Sequence, residues 1–170
     1  DDIAIGTAIE GRAEPGLADL IGMFVNTVVL RTPVRPGDSV GDLLAAANAA
    51  RTRALANGDV PFDRVVENVA PERSANRSPL FDVMIAWQEQ DHRTLLAGGG
   101  AGDQGVSVDP LTLPNPMVKA DLEFDFVRTV GPDGPQILTE IRYATDLFDE
   151  ATVERFAQWL QTCVAAMVAR

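Results

Sequence analysis

Ile21-Gly-Met-Phe-Val-Asn-Thr-Val-Val-Leu-Arg31 decides the fold, because it combines a strand pattern with a polar residue that the pattern does not need. Phe24, Asn26, Val28 and Leu30 share one parity, and Val25, Thr27, Val29 and Arg31 the other. Both parities are largely apolar, which predicts a strand covered on both faces, in the middle of a sheet flanked by helices. Asn26 then has no easy route to water. A buried amide without partners costs on the order of a few kcal/mol, so Asn26 either ties neighbouring backbone together or lines a solvated cavity. Gly22, just ahead of it, predicts a bend or a close backbone approach.

Outward from this stretch the pattern alternates between strand and helix. Upstream, Ile3, Ile5, Thr7 and Ile9 repeat at period two, a strand already inside a sheet at the start of the chain. The first residue is Asp, with neither an initiating Met nor a basic and apolar leader, so the chain reads as a piece of a longer polypeptide. Downstream, Pro33 and Pro36 stop the strand. Ser39, with Asp42 three residues on, predicts a helix N-cap. Val40, Leu43, Leu44, Ala47, Ala54 and Leu55 mark its apolar stripe, and Asn57-Gly58 its close. A shorter helix follows Pro61, with Phe62, Val65, Val66 and Val69 inward.

Leu80 to Gln88 is again apolar on both parities apart from Asp82 and predicts an inner strand. Residues 89 to 116 lose all periodicity, as a functional loop or a solvated linker does. Leu122, Phe124 and Phe126 alternate with Glu123 and Asp125. Ile137, Thr139, Ile141 and Tyr143 alternate with Leu138, Glu140 and Arg142, and Gly131-Pro-Asp-Gly134 lies between the two runs. That is a hairpin with one core face and one wet face. Asp149 caps a last helix with Val153, Phe156, Ala157, Leu160, Val164 and Met167 at helical spacing. Strands and helices interleaved in this order imply an α/β two-layer sandwich, a mixed sheet with helices mainly on one face.

Composition narrows the function. A net charge of -11 with a single lysine, Lys119, offers no cationic surface for a phosphate backbone, so nucleic acid is disfavoured as a partner. No apolar run is long enough to cross a membrane. One cysteine and one histidine make neither an internal disulfide nor a usual zinc ligand set, so a reducing, metal-free setting is expected. Phosphate loops, dinucleotide fingerprints and nucleophile elbows are all missing from the sequence. His92 sits in a polar run and reads as a surface residue, Ser74 and Ser78 as turn formers, Cys163 as a small buried hydrophobe, and Trp87 and Trp159 as core aromatics. Asp121, just ahead of an apolar strand face, caps a turn, pairs with Arg73 or Arg77, or faces a cavity.

Taken in order, several of these stretches resemble the carboxyl-terminal part of a nonribosomal peptide synthetase condensation domain. They are Asp1-Asp-Ile-Ala-Ile-Gly-Thr7 with Gly11-Arg12, Ile21-Gly-Met-Phe-Val-Asn-Thr27 with Leu30-Arg31, and Asp59-Val-Pro-Phe-Asp63. Arg73-Ser-Ala-Asn-Arg-Ser-Pro-Leu-Phe81, Asp121-Leu122 and Tyr143-Ala-Thr-Asp-Leu-Phe-Asp149 complete the series. The stretch usually written His-Gln-Asp-Tyr-Pro-Phe-Glu departs here, reading Asn57-Gly-Asp-Val-Pro-Phe-Asp63.

The resemblance implies one lobe of a two-lobed enzyme, each lobe similar to a chloramphenicol acetyltransferase monomer. Between the lobes an amine attacks a thioester. It implies no directly bound cofactor, the substrates riding on phosphopantetheine arms of donor and acceptor peptidyl carrier proteins. The other implied partners are the amino-terminal lobe of the same domain and an adenylation domain following residue 170. The family's His-His-x-x-x-Asp-Gly motif belongs to the other lobe, so no catalytic residue is expected here and the piece alone should be inactive. By the same resemblance Val83, Ile85, Trp87 and Asp121 face the tunnel, and Asn26 and Thr27 lie near the lobe interface. Residues 89–118 form a latch reaching across to the other lobe, and the location is cytoplasmic. An epimerisation or heterocyclisation domain, or a non-catalytic module docking carrier proteins, are the alternatives. Exposed apolar edges and self-association of the isolated piece are expected.

Overall fold

The computed structural model describes residues 1–12, 14–69, 78–88, 117–131 and 134–169. Its strands are β1 (Asp2–Ile9), β2 (Asn26–Pro33), β3 (Val83–Gln88), β4 (Leu122–Gly131) and β5 (Gly134–Tyr143), and they form one sheet in the order β2-β1-β3-β4-β5. β1 is antiparallel to β2 and parallel to β3, β3 is parallel to β4, and β4 is antiparallel to β5. The sheet is therefore mixed, as the alternation of elements implied. The α-helices among the described residues are α1 (Val40–Ala56), α2 (Phe62–Val69) and α3 (Glu150–Val168).

Strand register sorts the side chains into two faces. Thr7, Val28, Leu30, Ile85, Trp87 and Phe126 share the face over which α1 and α3 lie. α2 passes round the β2 edge to the other face, where Phe62 and Val65 approach Ala4, Thr27 and Val29. That second face is reached through Gly6: a methyl group there would stand 2.5 Å from the Phe81 ring, so only glycine lets buried Phe81 lie against β1.

Two expectations for the central stretch change. β2 lies at the edge of the sheet, and it starts at Asn26, leaving residues 21–25 outside it. Both of its parities are apolar because α1 covers one face and α2 the other. Two-sided coverage does not require a strand on each side, and that is how the pattern misleads. β3, by contrast, is an inner strand between β1 and β4, as expected.

The caps form as the sequence predicts. Ser39 and Asp42 make a reciprocal capping box, and Asn57 closes α1 with its amide on Ala54 and Leu55. Asp149 accepts from the Thr152 amide at 2.7 Å. Packing corrects the stripes, however. On α1, Ala50 is buried and Val40, Leu43, Ala46 and Ala54 are half-buried, while Leu44, Ala47 and Leu55 stay exposed. Val69 is exposed as well. α3 is packed over its first half through Val153 and Phe156, but Val164, Met167 and Cys163 stand in solvent. Cys163 is thus not a buried hydrophobe, and Trp87 and Trp159, at 52% and 60% exposed, are not core residues.

Hydrogen bonds from Ser39 and Thr152 hold the Asp42 and Asp149 carboxyls below the usual carboxylate range. Because the folded values are lowered, the stabilisation is complete above that range and is lost as pH falls below about 4. Asp149→Asn should remove its share of this acid sensitivity, while leaving the neutral-pH Tm nearly unchanged because Asn caps about as well as Asp. Thermal unfolding as a function of pH measures both.

Candidate functional site

The helix-covered face carries an open groove of about 1070 Å³ between α1 and α3. Its floor is Thr7, Ile9, Val28, Leu30, Ile85, Trp87 and Phe126, and its walls are Leu55 of α1 and Leu160 and Val164 of α3. The groove exists because the two helices stand over opposite edges of a five-stranded sheet. Strands about 4.8 Å apart make such a sheet roughly twice as wide as one helix is thick, so its centre stays uncovered. Among the described residues the lining contains no carboxylate and no imidazole, and Arg51, Gln161 and two threonines are polar members. It can hold apolar matter and exclude water, and its described lining offers no proton-transfer group.

At the rim of this face the Asn26 amide meets both of the demands that burial makes on it. Nδ2 donates to the carbonyls of Gly58 and Val60, each at 2.8 Å, and Oδ1 accepts from the Phe62 amide at 3.1 Å. Of the two readings the sequence left open, tying backbone together is the one found. The amide joins the start of β2 to the turn between α1 and α2.

Ahead of it, Arg12 fastens the loop that precedes β2. Its guanidinium donates to the carbonyl of Leu17, to that of Leu20 at 2.9 Å and to that of Gly22 at 3.1 Å. It also lies 4.2 Å above the Phe24 ring. Gly11 has φ 65°, and any Cβ there would fall 1.9 Å from the Phe24 carbonyl oxygen, so glycine is required next to this arginine.

On the face away from the groove, the hairpin register sets Glu123 opposite Arg142 and Asp125 opposite Glu140. Arg142 bonds Asp125 and lies 3.1 Å from Glu123, whose second oxygen takes the Lys119 amide. Glu123 is only 4% exposed, so the face predicted as wet holds a buried carboxylate. Burial works against the Arg142 charge, but the hydrogen bond to Asp125 and the charges of Asp125, Glu123 and Glu140 outweigh it and raise its pKa. Counting outward from the turn would have paired these charges from sequence alone.

The predicted site residues fall into separate groups. Ile85 and Trp87 line the groove, with Val83 further along the same face of β3, toward the amino end. Asn26 lies at the end of the sheet where β1 finishes, paired with Ile9. Thr27 points the other way, into a smaller cavity with Phe62 and Leu80. Asp121 precedes β4 at the opposite end, about 17 Å along the strands from the Trp87–Phe126 row. Its backbone carbonyl accepts from Ala144 at 3.0 Å. Its suggested partners Arg73 and Arg77, and also Ser74, His92 and residues 89–116 of the expected latch, lie outside the described residues. Arg12 and Arg142 are the structural cations to which no role had been assigned.

The family described as "Condensation domain" matches this chain over residues 1–170. The chain belongs to the condensation-domain family. It is 34% identical over 157 residues to gramicidin S synthase 2 of Brevibacillus brevis, a match covering 92% of the chain and 3% of that relative. The chain thus spans only 2 to 6% of the length of the curated relatives it matches. Among solved structures it is similar to holo-AB3403, a four-domain nonribosomal peptide synthetase bound to AMP and glycine. There the TM-score is 0.85 at 21% identity, over 99% of this chain and 13% of that one. It is similar also to the condensation domain of the Monacolin K polyketide synthase MokA, with TM-score 0.69 and 18% identity, over 98% of this chain and 36% of that one.

Asn26→Ala would strip three bonds, two of them partly buried, and should cost about 2 to 3 kcal/mol, at about 1 kcal/mol for each. Asn26→Asp, which keeps the acceptor for Phe62 but sets a carboxylate against two carbonyls, should do no better. Urea unfolding of the condensation domain measures this. In the same experiment Arg142→Met leaves Glu123 without its cation and should cost about 3 kcal/mol or more, with Arg142→Lys recovering part.

Proposed function

We propose that these residues form one wall of the substrate tunnel in a nonribosomal peptide synthetase condensation domain, which joins two aminoacyl or peptidyl groups held as thioesters on carrier proteins. The observation that carries this is the family match over the whole of residues 1–170. The acceptor amine attacks the donor thioester carbonyl. A C–N bond forms, the C–S bond breaks, and the donor phosphopantetheine leaves as a thiol with the proton the amine gives up. The imidazole that positions or deprotonates the amine comes from the His-His-x-x-x-Asp-Gly motif of the other lobe, since this chain has a single histidine.

The contribution of this wall is exclusion and fit. Val83, Ile85 and Trp87 present an apolar floor that keeps water from the thioester, so the amine outcompetes hydrolysis. Asn26 and Thr27 stand toward the lobe interface, and Asp121 faces the tunnel at the far end of the sheet. Donor and acceptor peptidyl carrier proteins deliver the two phosphopantetheine arms, no cofactor is bound directly, and an adenylation domain follows residue 170. The setting is the cytoplasm. Among the described residues no helix is long and apolar enough to cross a membrane.

The intact condensation domain, mixed with donor- and acceptor-loaded carrier proteins, should yield a dipeptidyl thioester on the acceptor carrier. Trp87→Ala should lower that yield and raise release of the free donor acid by hydrolysis. No dipeptidyl product from correctly loaded carriers would overturn the catalytic reading.

A further inference from the structure

Where β4 begins, the backbone around Asp121 is fixed from several directions while its carboxylate is left unbonded. The Asp121 carbonyl accepts from the Ala144 amide at 3.0 Å, and the Leu122 amide donates to the Asp82 carbonyl at 3.2 Å. The Lys119 amide donates to the Glu123 carboxylate, which closes residues 119–123 into a ring around Asp121. Ala120, inside that ring, is buried. The Asp121 side chain is half-buried and takes no hydrogen bond or ion pair among the described residues.

The side chain that closes the ring is a buried ion. The second oxygen of Glu123 lies 3.1 Å from Arg142, opposite it in the hairpin, and Arg142 also bonds Asp125. Replacing a buried ion pair by apolar residues of similar volume is often neutral or stabilising, so the strength of the hairpin does not call for this pair. What an apolar pair could not do is accept the Lys119 amide and hold the accepting oxygen in one place.

We infer that Glu123 and Arg142 are positioning residues for the condensation reaction, acting through Asp121. Arg142 orients the Glu123 carboxylate, Glu123 fixes the turn at Lys119, and the turn sets where the Asp121 carboxylate stands. The inference rests on the reading above that Asp121 faces the tunnel. There an amine gains positive charge as it attacks the thioester, and a carboxylate stabilises that charge only from a fixed place. Misplacement by about 1 Å costs on the order of a hundredfold in rate.

The intact condensation domain, with each carrier loaded by its own adenylation domain, tests this through the rate of dipeptidyl-thioester formation. Glu123→Gln keeps the shape but turns one oxygen into a donor, so either the Lys119 amide or Arg142 loses its acceptor. It should lower kcat about tenfold while KM for the acceptor carrier stays within about twofold, as a displaced carboxylate requires. Arg142→Lys, which keeps the charge but not the fork, should lower kcat about threefold, and it carries the test if the Gln variant does not fold. Asp121→Asn should lower kcat at least as far as Glu123→Gln does. In the Asp121→Asn background the other two substitutions should each lower kcat by less than about twofold more, because the group they place is already gone. Equal losses in the two backgrounds, or an unchanged kcat in the folded variants, would overturn the positioning role while leaving Asp121 in the tunnel. Full activity of Asp121→Asn would overturn the tunnel reading of Asp121 and this role with it.

Discussion

With both amide protons on the carbonyls of Gly58 and Val60 and its oxygen on the Phe62 amide, Asn26 fixes where α1 ends and where α2 begins relative to the sheet. The turn it holds separates two helices that cover opposite faces of one edge strand. Gly58 is buried in that turn, and a methyl group on it would stand 2.6 Å from Ile9. The clamp and this close approach together set the height of α1 over β2. Ala50 of α1 is buried, and Leu55 forms a wall of the groove.

Much of this was legible in the sequence because local chemistry and tertiary structure agree there. Ser39, Asp42 and Asp149 sit at helix starts whose geometry a short polar side chain satisfies, and the hairpin from Leu122 to Tyr143 declares itself by alternation. Asn26 was legible as an anomaly, and of the two readings open to it the structure chose the structural one. Strand order was not legible: apolarity on both parities of β2 reports what covers its faces and says nothing of its neighbours. Helix packing was legible only in part. The pattern nominates Leu44 and Leu55 for the α1 core, whereas both are exposed and Ala50 is the buried residue.

The site was less legible than the fold. Ile85 and Trp87 share the groove, but Thr27 and Asp121 point to other faces or ends, and no periodicity could have grouped the six residues. Arg12 and Arg142 carry no periodic signal of their work, which is to bond carbonyls of the following loop and carboxylates of the neighbouring strand. The Arg142 partners follow from the hairpin register, while those of Arg12 needed the loop's three-dimensional path.

The described residues leave apolar surface uncovered along the groove. The distal half of α3 carries Leu160, Val164 and Val168 along the groove with nothing described above them, and helices hold together in water mainly through the apolar face they bury. Amide hydrogen exchange of the intact condensation domain puts this to the test at Leu160 to Val168. Protection there comparable to that of Val153 and its neighbours is the result expected if the rest of the domain closes the groove. Exchange over Leu160 to Val168 as fast as in an unfolded chain would contradict it.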